Sequence, residues 1–351
     1  MLINKLDFDI PKNLIALHQI EPRDKSKLVI VGKKKFKVCS FDKIIDFLQP
    51  NDALIFNQTK VLPAGIDGYL NGQKVSVNLN RLLHKKGKVV WSAFFKASRK
   101  VGKDDEVFFS KNFSAKIDSV KIYKGTKLFI ISFMYSYQKF LTLLEKFGNA
   151  PLPPYIKKFR EPNNIDKKTY QSVLARNIGS VAAPTASLHF TEELLGKIKQ
   201  RGISIIKVTL HVSAGTFIPI REKNINNHEI HEEYGYVSIR AARLINKIKK
   251  EGGKIIAVGT TVLRILETAK DQNGYLNPFR GETKIFIKPG WEINSIDGLI
   301  TNFHTSKSTL LAIILTLIGE KRTKELYEFA IKKKLRFFSF GDACLIFKKN
   351  V

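Results

Sequence analysis

The segment GGKIIAVGTTVLRILETAK, residues 252–270, decides the fold. Residues 254–258 read as a strand buried on both faces, and a helix follows from about residue 262 to 270. A strand that turns through Val258-Gly259-Thr260-Thr261 directly into a helix is the building unit of an α/β domain. The flanking segments keep that alternation. Thr191 caps a helix with Glu192 and Glu193 in its first turn, and Gly202 ends it. Residues 203–212 form a strand, and Ser238 caps a helix that stops at Gly252-Gly253. Strands near Ile285 and Leu299, helices over 308–317 and 323–333, and a last strand over 343–347 complete a mixed sheet.

Upstream, residues 65–133 change character. Asn71-Gly72, Lys86-Gly87, Gly102 with its following Lys-Asp-Asp, and Lys124-Gly125 separate short β-branched and aromatic runs. That pattern predicts a small β-barrel. Phe140, Leu141, Leu144 and Phe147 then recur at helical spacing, with Gly148 expected at C′. Pro151, Pro153 and Pro154 stiffen a connector that fits neither helix nor central strand. The expected architecture is an α/β large domain in two parts, residues 1–64 and 151–351, carrying an inserted β-barrel domain at 65–150.

Composition narrows the class of partner. The chain has 351 residues, 44% of them hydrophobic, with 60 Lys and Arg against 31 Asp and Glu, a formal charge of +29. A Lys-rich coding bias would raise Glu as well, and acids have not kept pace. Such an excess suits a polyanion, because each phosphate neutralised releases counterions. Local candidates for RNA contact are His84-Lys85-Lys86, the 96–103 run with Lys96, Arg99 and Lys100, the cluster Lys157, Lys158 and Arg160, and Lys332-Lys333-Lys334. Each alone reads as a solvated face. Only Cys39 and Cys344 occur, with no metal-ligand spacing, which fits a reducing cytoplasm. The first 27 residues lack the apolar core of a signal peptide. The longest apolar stretch, 310–318, falls short of the roughly 20 residues that cross a bilayer, so no membrane span is expected.

Four motifs carry chemistry. At Gly259, Thr260 and Thr261, a glycine and two hydroxyls open a helix, where free N–H groups and the helix dipole favour an anion. The loop is not a Walker loop, and no GxGxxG occurs, which counts against a Rossmann methyltransferase. His211 ends a buried strand just before Gly215, a usual place for a catalytic group, although a structural histidine fits there too. His228, His231 and Glu233 lie in HEIHEE. On a helix their spacing would suggest a metal, but the order is not HExxH and no third ligand is evident. Proton transfer is the reading that a carboxylate beside an imidazole favours. Asn302 and His304 sit at another strand end, and Asp342 lies in a turn before the last strand.

Taken in order, these motifs resemble the S-adenosylmethionine:tRNA ribosyltransferase-isomerase family of queuosine biosynthesis. The resemblance runs from LDFDIPKNLIALHQIEPRDKSKL to RFFSFGDACLIF. Between them lie LIFNQTKVLPA, APLPPYI, TYQSVLA, GSVAAPTASLHFT, TLHVSAGTF, HEIHEEY, IIAVGTT and GLITNFHTSKSTLL. It implies a monomeric enzyme that consumes S-adenosylmethionine as a ribosyl donor and needs no metal. The acceptor is the aminomethyl group of 7-aminomethyl-7-deazaguanine at the tRNA wobble position. The products are epoxyqueuosine-tRNA, adenine and methionine. On this reading His211, His228, His231 and Glu233 are the candidates for proton transfer. Ala183, Pro184, Thr185, Gly215, Gly259, Thr260, Thr261, Asn302, His304 and Asp342 bind substrate. The chain departs from the family pattern at Gln58, Lys60, Gly65, Ser187, Ser213, Ile230, Glu232 and Thr305-Ser306. Lysine at position 60 cannot make the bidentate fork of arginine. The alternative is a non-catalytic basic RNA-binding protein, which accounts for charge and barrel but leaves the histidine clusters and glycine-hydroxyl turn unused.

Overall fold

Strands whose every residue is apolar need cover on both faces, and the chain supplies it. The computed structural model describes residues 7–98, 100–123, 126–217, 220, 222, 224–228 and 230–348. It opens with β1 (Lys27–Val31), β2 (Phe36–Ser40), β3 (Ala53–Asn57) and a short β4 (Thr59–Val61). Next come β5 (Gly65–Leu70), β6 (Gln73–His84), β7 (Val89–Ala97), β8 (Glu106–Ser110), β9 (Phe113–Tyr123) and β10 (Thr126–Phe133). Helices α1 (Tyr137–Phe147), α2 (Pro154–Lys157) and α3 (Asn164–Thr169) lead to β11 (Asn177–Ser180), α4 (Glu192–Gln200) and β12 (Ser204–Leu210). Then follow β13 (Glu233–Val237), α5 (Ile239–Lys250), β14 (Ile255–Val258), α6 (Thr260–Ala269), β15 (Phe279–Thr283), β16 (Gly298–Asn302), α7 (Thr309–Lys332) and β17 (Ala343–Phe347).

Nine strands form one mixed sheet in the order β15-β13-β12-β3-β14-β16-β17-β1-β2. Alternate residues of its central strands feed two cores, as the two-residue repeat of a strand requires. Ala53, Ile55, Ile255, Ala257 and Leu299 pack with α5, α6 and α7; Leu54, Phe56, Ile256, Val258 and Ile300 pack with α4 and the 3-10 segment Phe41–Phe47. Each Leu, Ile, Val or Phe side chain among them contributes about 1.5–3 kcal/mol by leaving water. Strands β12, β3, β14 and β16 are mutually parallel, so their carboxyl ends at Leu210, Asn57, Val258 and Asn302 share one edge. Antiparallel β13 and β17 begin at that same edge with Glu233 and Ala343.

The remaining long strands close into an antiparallel six-stranded barrel, β10-β7-β6-β5-β8-β9. Its core is aromatic, with Trp91, Phe113, Phe133 and Phe140 from α1 all fully buried. Where the chain enters and leaves the barrel, Gly65 and Asn149 exchange both backbone hydrogen bonds, at 3.2 and 2.6 Å.

Two local expectations change. Gly148 is extended (φ −81°, ψ 156°) rather than left-handed; it is glycine because a Cβ would stand 2.0 Å from Pro63 O. The strand expected near Ile285 is β15, which ends at Thr283 after pairing with β13. The two helices expected after Ser308 are present within α7, separated by Gly319 at φ 75°. No described helix is long and apolar enough to cross a membrane.

Candidate active site

The shared carboxyl edge of the parallel strands is where open α/β sheets bind ligands, and here it gathers most of the expected residues. Gly259 adopts φ 98°, a conformation that L side chains rarely take, and so turns β14 directly into α6. The α6 ladder begins with Val262 N–H returning to Gly259 O, which leaves Thr260 and Thr261 at the helix mouth. Ala183, Pro184, Thr185, Gly259, Thr260, Thr261 and His304 line one narrow cleft. Asn302, His304, Thr185 and Thr216 line a second that shares its walls, together with Tyr155 and Phe338. Folding brings these substrate candidates, scattered from 183 to 304, into one place.

The histidines differ in environment. His304 gives its Nε2 to Thr301 Oγ1 at 2.7 Å, and burial pushes its pKa down to about 3. His189 is pushed down to about 3 as well, by burial and then by Arg336 and Arg23; it bridges Ser26 Oγ at 2.7 Å and Asn302 Nδ2 at 3.2 Å. His211 follows β12, with Nδ1 2.7 Å from Thr59 Oγ1 and its ring near-parallel to Tyr234. Burial, with Lys85 nearby, lowers its pKa to about 4, so it is neutral at physiological pH. It lies outside the linings of the two clefts above.

His228 and His231 share a different cleft, between barrel and sheet, with Arg81, Lys121 and Lys284. His228 Nδ1 meets Glu222 Oε2 at 2.9 Å. The His231 ring lies over Gly215, where a Cβ would come within 2.3 Å of it. The helix that would have put both imidazoles on one face does not form: the 3-10 turn ends at Asn227 and β13 starts at Glu233. Among the described residues no group of three or more His, Cys, Asp or Glu is placed to hold a metal ion.

Glu233 lies between the clefts. Its Oε1 accepts from Ser213 N–H and Thr216 Oγ1, both at 3.0 Å, and its Oε2 pairs with Arg264. Thr216 lines the sheet-edge cleft and Gly215 carries His231, so this carboxylate fixes the turn that divides the two spaces.

Some expected residues serve the fold instead. Asp342 gives one oxygen to Lys27 N–H (2.8 Å) and the other to Arg336 N–H (2.7 Å), clamping the starts of β1 and β17. Arg160 spends all five N–H groups on Leu17 O, Glu161 O and Asp166, so none remains for a phosphate. Lys157 donates to Asn78 Oδ1 at 2.9 Å, joining the connector to the barrel. Lys96, Lys100 and Lys158 are exposed, and Arg99 lies outside the described residues. Asn57, Thr59 and Arg264 escaped sequence reading. Asn57 Oδ1 accepts from Thr59 N–H and Leu210 N–H, tying β3 to β12 beside His211. The signal for Arg264 was present: an arginine in the otherwise apolar run TVLRIL implies a buried counter-charge.

Comparison with known proteins agrees across the chain. A family model described as a queuosine biosynthesis protein matches residues 3–346. An S-adenosylmethionine:tRNA ribosyltransferase-isomerase of Halothermothrix orenii is 43% identical over 350 residues, covering 99% of this chain and 100% of the relative. Those of Rickettsia bellii and Zymomonas mobilis are 41% and 39% identical, each over 99% of this chain and 100% of the relative. The crystal structure of a Thermotoga maritima S-adenosylmethionine tRNA ribosyltransferase aligns with TM-score 0.54 and 29% identity, over 97% of this chain and 99% of that one.

Proposed function

The chain belongs to the queuosine biosynthesis protein family, and from that premise we propose that it is an S-adenosylmethionine:tRNA ribosyltransferase-isomerase. It moves and isomerises the ribosyl group of S-adenosylmethionine onto 7-aminomethyl-7-deazaguanine at the tRNA wobble position. Epoxyqueuosine-tRNA forms, and adenine and methionine leave. The observation that carries the site assignment is the division of space at the sheet edge. One compartment has a helix mouth and buried polar groups, and a basic compartment opens beside it across the Ser213–Thr216 turn. Two substrates, one small and one a polyanion, need two such spaces.

In this reading the helix mouth at Thr260 and Thr261 receives the donor's carboxylate, with Ala183, Pro184 and Thr185 opposite. The sulfonium acidifies the adjoining 5′ carbon, and a neutral imidazole in a water-poor setting can take that proton. His211, at the sheet edge beside Thr59 and kept unprotonated by burial, is assigned one of the two proton transfers. His228 and His231 face the acceptor and manage the amine and leaving-base protons. Glu233 positions the turn between them. The scheme calls for no metal ion, and the enzyme works as a cytoplasmic monomer. Two free cysteines fit a reducing compartment.

The test is mass-spectrometric detection of adenine and methionine released from S-adenosylmethionine, with and without precursor-bearing tRNA. Adenine release that depends on the tRNA, with ribosylated product in the RNA, is expected. RNA binding without release would leave only a binding protein.

A further inference from the structure

The barrel side of the basic cleft holds a group that the scheme above does not use. Asn80 on β6 is only 6% exposed and lines this cleft of ≈ 610 Å³. Its Nδ2 donates to Ser92 Oγ on β7 at 3.2 Å, and the Ser92 hydroxyl donates in turn to Arg81 O at 3.5 Å, which leaves Oγ as the acceptor. Its Oδ1 is buried and has no hydrogen-bond partner among the described residues. A buried acceptor without a donor is destabilising. One kept in a cleft wall is matched to a donor that a ligand brings.

Cations line the same cleft, with Glu232 among them. Arg81, the next residue on β6, meets Glu232 at 2.6 Å and Glu282 at 3.5 Å; Lys284 meets Glu232 at 2.6 Å. Lys121 stands exposed on β9, and Leu128, Ile130 and Phe286 give the lining apolar area. The two ion pairs to Glu232 are partly exposed and weak. A phosphodiester can therefore exchange for the carboxylate at little cost. A positive rim with an apolar wall and an unpartnered amide oxygen on Asn80 suits a nucleotide with its base turned in. Guanine-type bases present adjacent N1–H and 2-amino donors, whereas an adenine edge offers a ring acceptor at N1.

We propose that this cleft seats the acceptor nucleotide of the tRNA. Asn80 Oδ1 accepts from the N1–H and 2-amino edge of its guanine-like base, and Arg81 and Lys284 take the flanking phosphates. The assignment rests on the function proposed above and makes the barrel a specificity element of the acceptor site.

Two anticodon stem-loop RNAs that differ only in guanine or adenine at the wobble position test it, with affinities read by fluorescence anisotropy. The wild-type protein should prefer guanine by about tenfold or more. Asn80→Ala should bring the two affinities within about twofold, with S-adenosylmethionine affinity, measured by calorimetry, unchanged. Lys284→Ala, at an exposed position that folding tolerates, should weaken both RNAs equally and lower the log–log salt slope by about 1. Retained guanine preference in Asn80→Ala, or no preference in the wild type, overturns the base assignment. An unchanged salt slope in Lys284→Ala overturns the phosphate assignment, and this measurement stands even if Asn80→Ala does not fold. Wild-type adenine release is scored separately: an active enzyme with unaffected variants sinks this inference alone. An inactive enzyme that still prefers guanine sinks the function and spares the cleft.

Discussion

Glu233→Gln separates a positioning carboxylate from a catalytic one. The side chain keeps its shape and loses its charge. In the native protein Glu233 and Arg264 are 2% and 5% exposed and paired with each other. Arg264 Nε and Nη2 have no hydrogen-bond partner among the described residues, so the carboxylate is the guanidinium's main compensation. Removing one partner of a buried pair costs about 3–5 kcal/mol, a large share of the roughly 5–15 kcal/mol that holds a domain folded. Urea unfolding followed by circular dichroism at pH 7.5 should show that loss as a lower midpoint with unchanged slope. Adding Arg264→Met to Glu233→Gln removes the stranded charge while the Gln oxygen still accepts from Ser213 and Thr216. Most of the stability should return. A single variant within about 1 kcal/mol of wild type, or a double variant no more stable than the single, refutes the reasoning. So does a fully stable Glu233→Gln protein that has lost all turnover, the signature of a proton-transfer residue.

Acid sensitivity should follow from His189 and His304. Both are held neutral with pKa values near 3, below the usual 6.5, so the unfolded chain protonates first. Their stability contribution is intact above pH 6.5 and lost progressively as pH falls from there toward 3. At pH 5 the cost is about 2 kcal/mol per group, so the urea midpoint should fall clearly between pH 7.5 and 5; an unchanged midpoint contradicts the burial argument. His211→Ala should abolish epoxyqueuosine formation, a loss of about 100-fold or more, with the thermal midpoint little altered. Turnover near wild type would remove His211 from the mechanism.

Element types were legible because they rest on local pattern. The all-apolar run of β14, the caps at Thr191 and Ser238, and the glycine-punctuated strands of the barrel each specify their geometry within a few residues. The ordered motifs likewise carried the family from end to end. Which groups meet was not local. Ala53 of β3 pairs with Ser204 on one side and Ile255 on the other, and only that parallel register brings Asn57, His211, Thr260 and Asn302 to one edge. Periodicity likewise could not show that Arg160 and Asp342 would be consumed inside the fold, or that His228 and His231 would face the barrel. Charge and hydrogen-bonding capacity belong to the residue, but whether they point at solvent, at substrate or at a buried partner is settled by long-range pairing. Composition and motif thus determined fold class and family by themselves, and tertiary packing alone decided which polar atoms remained for chemistry.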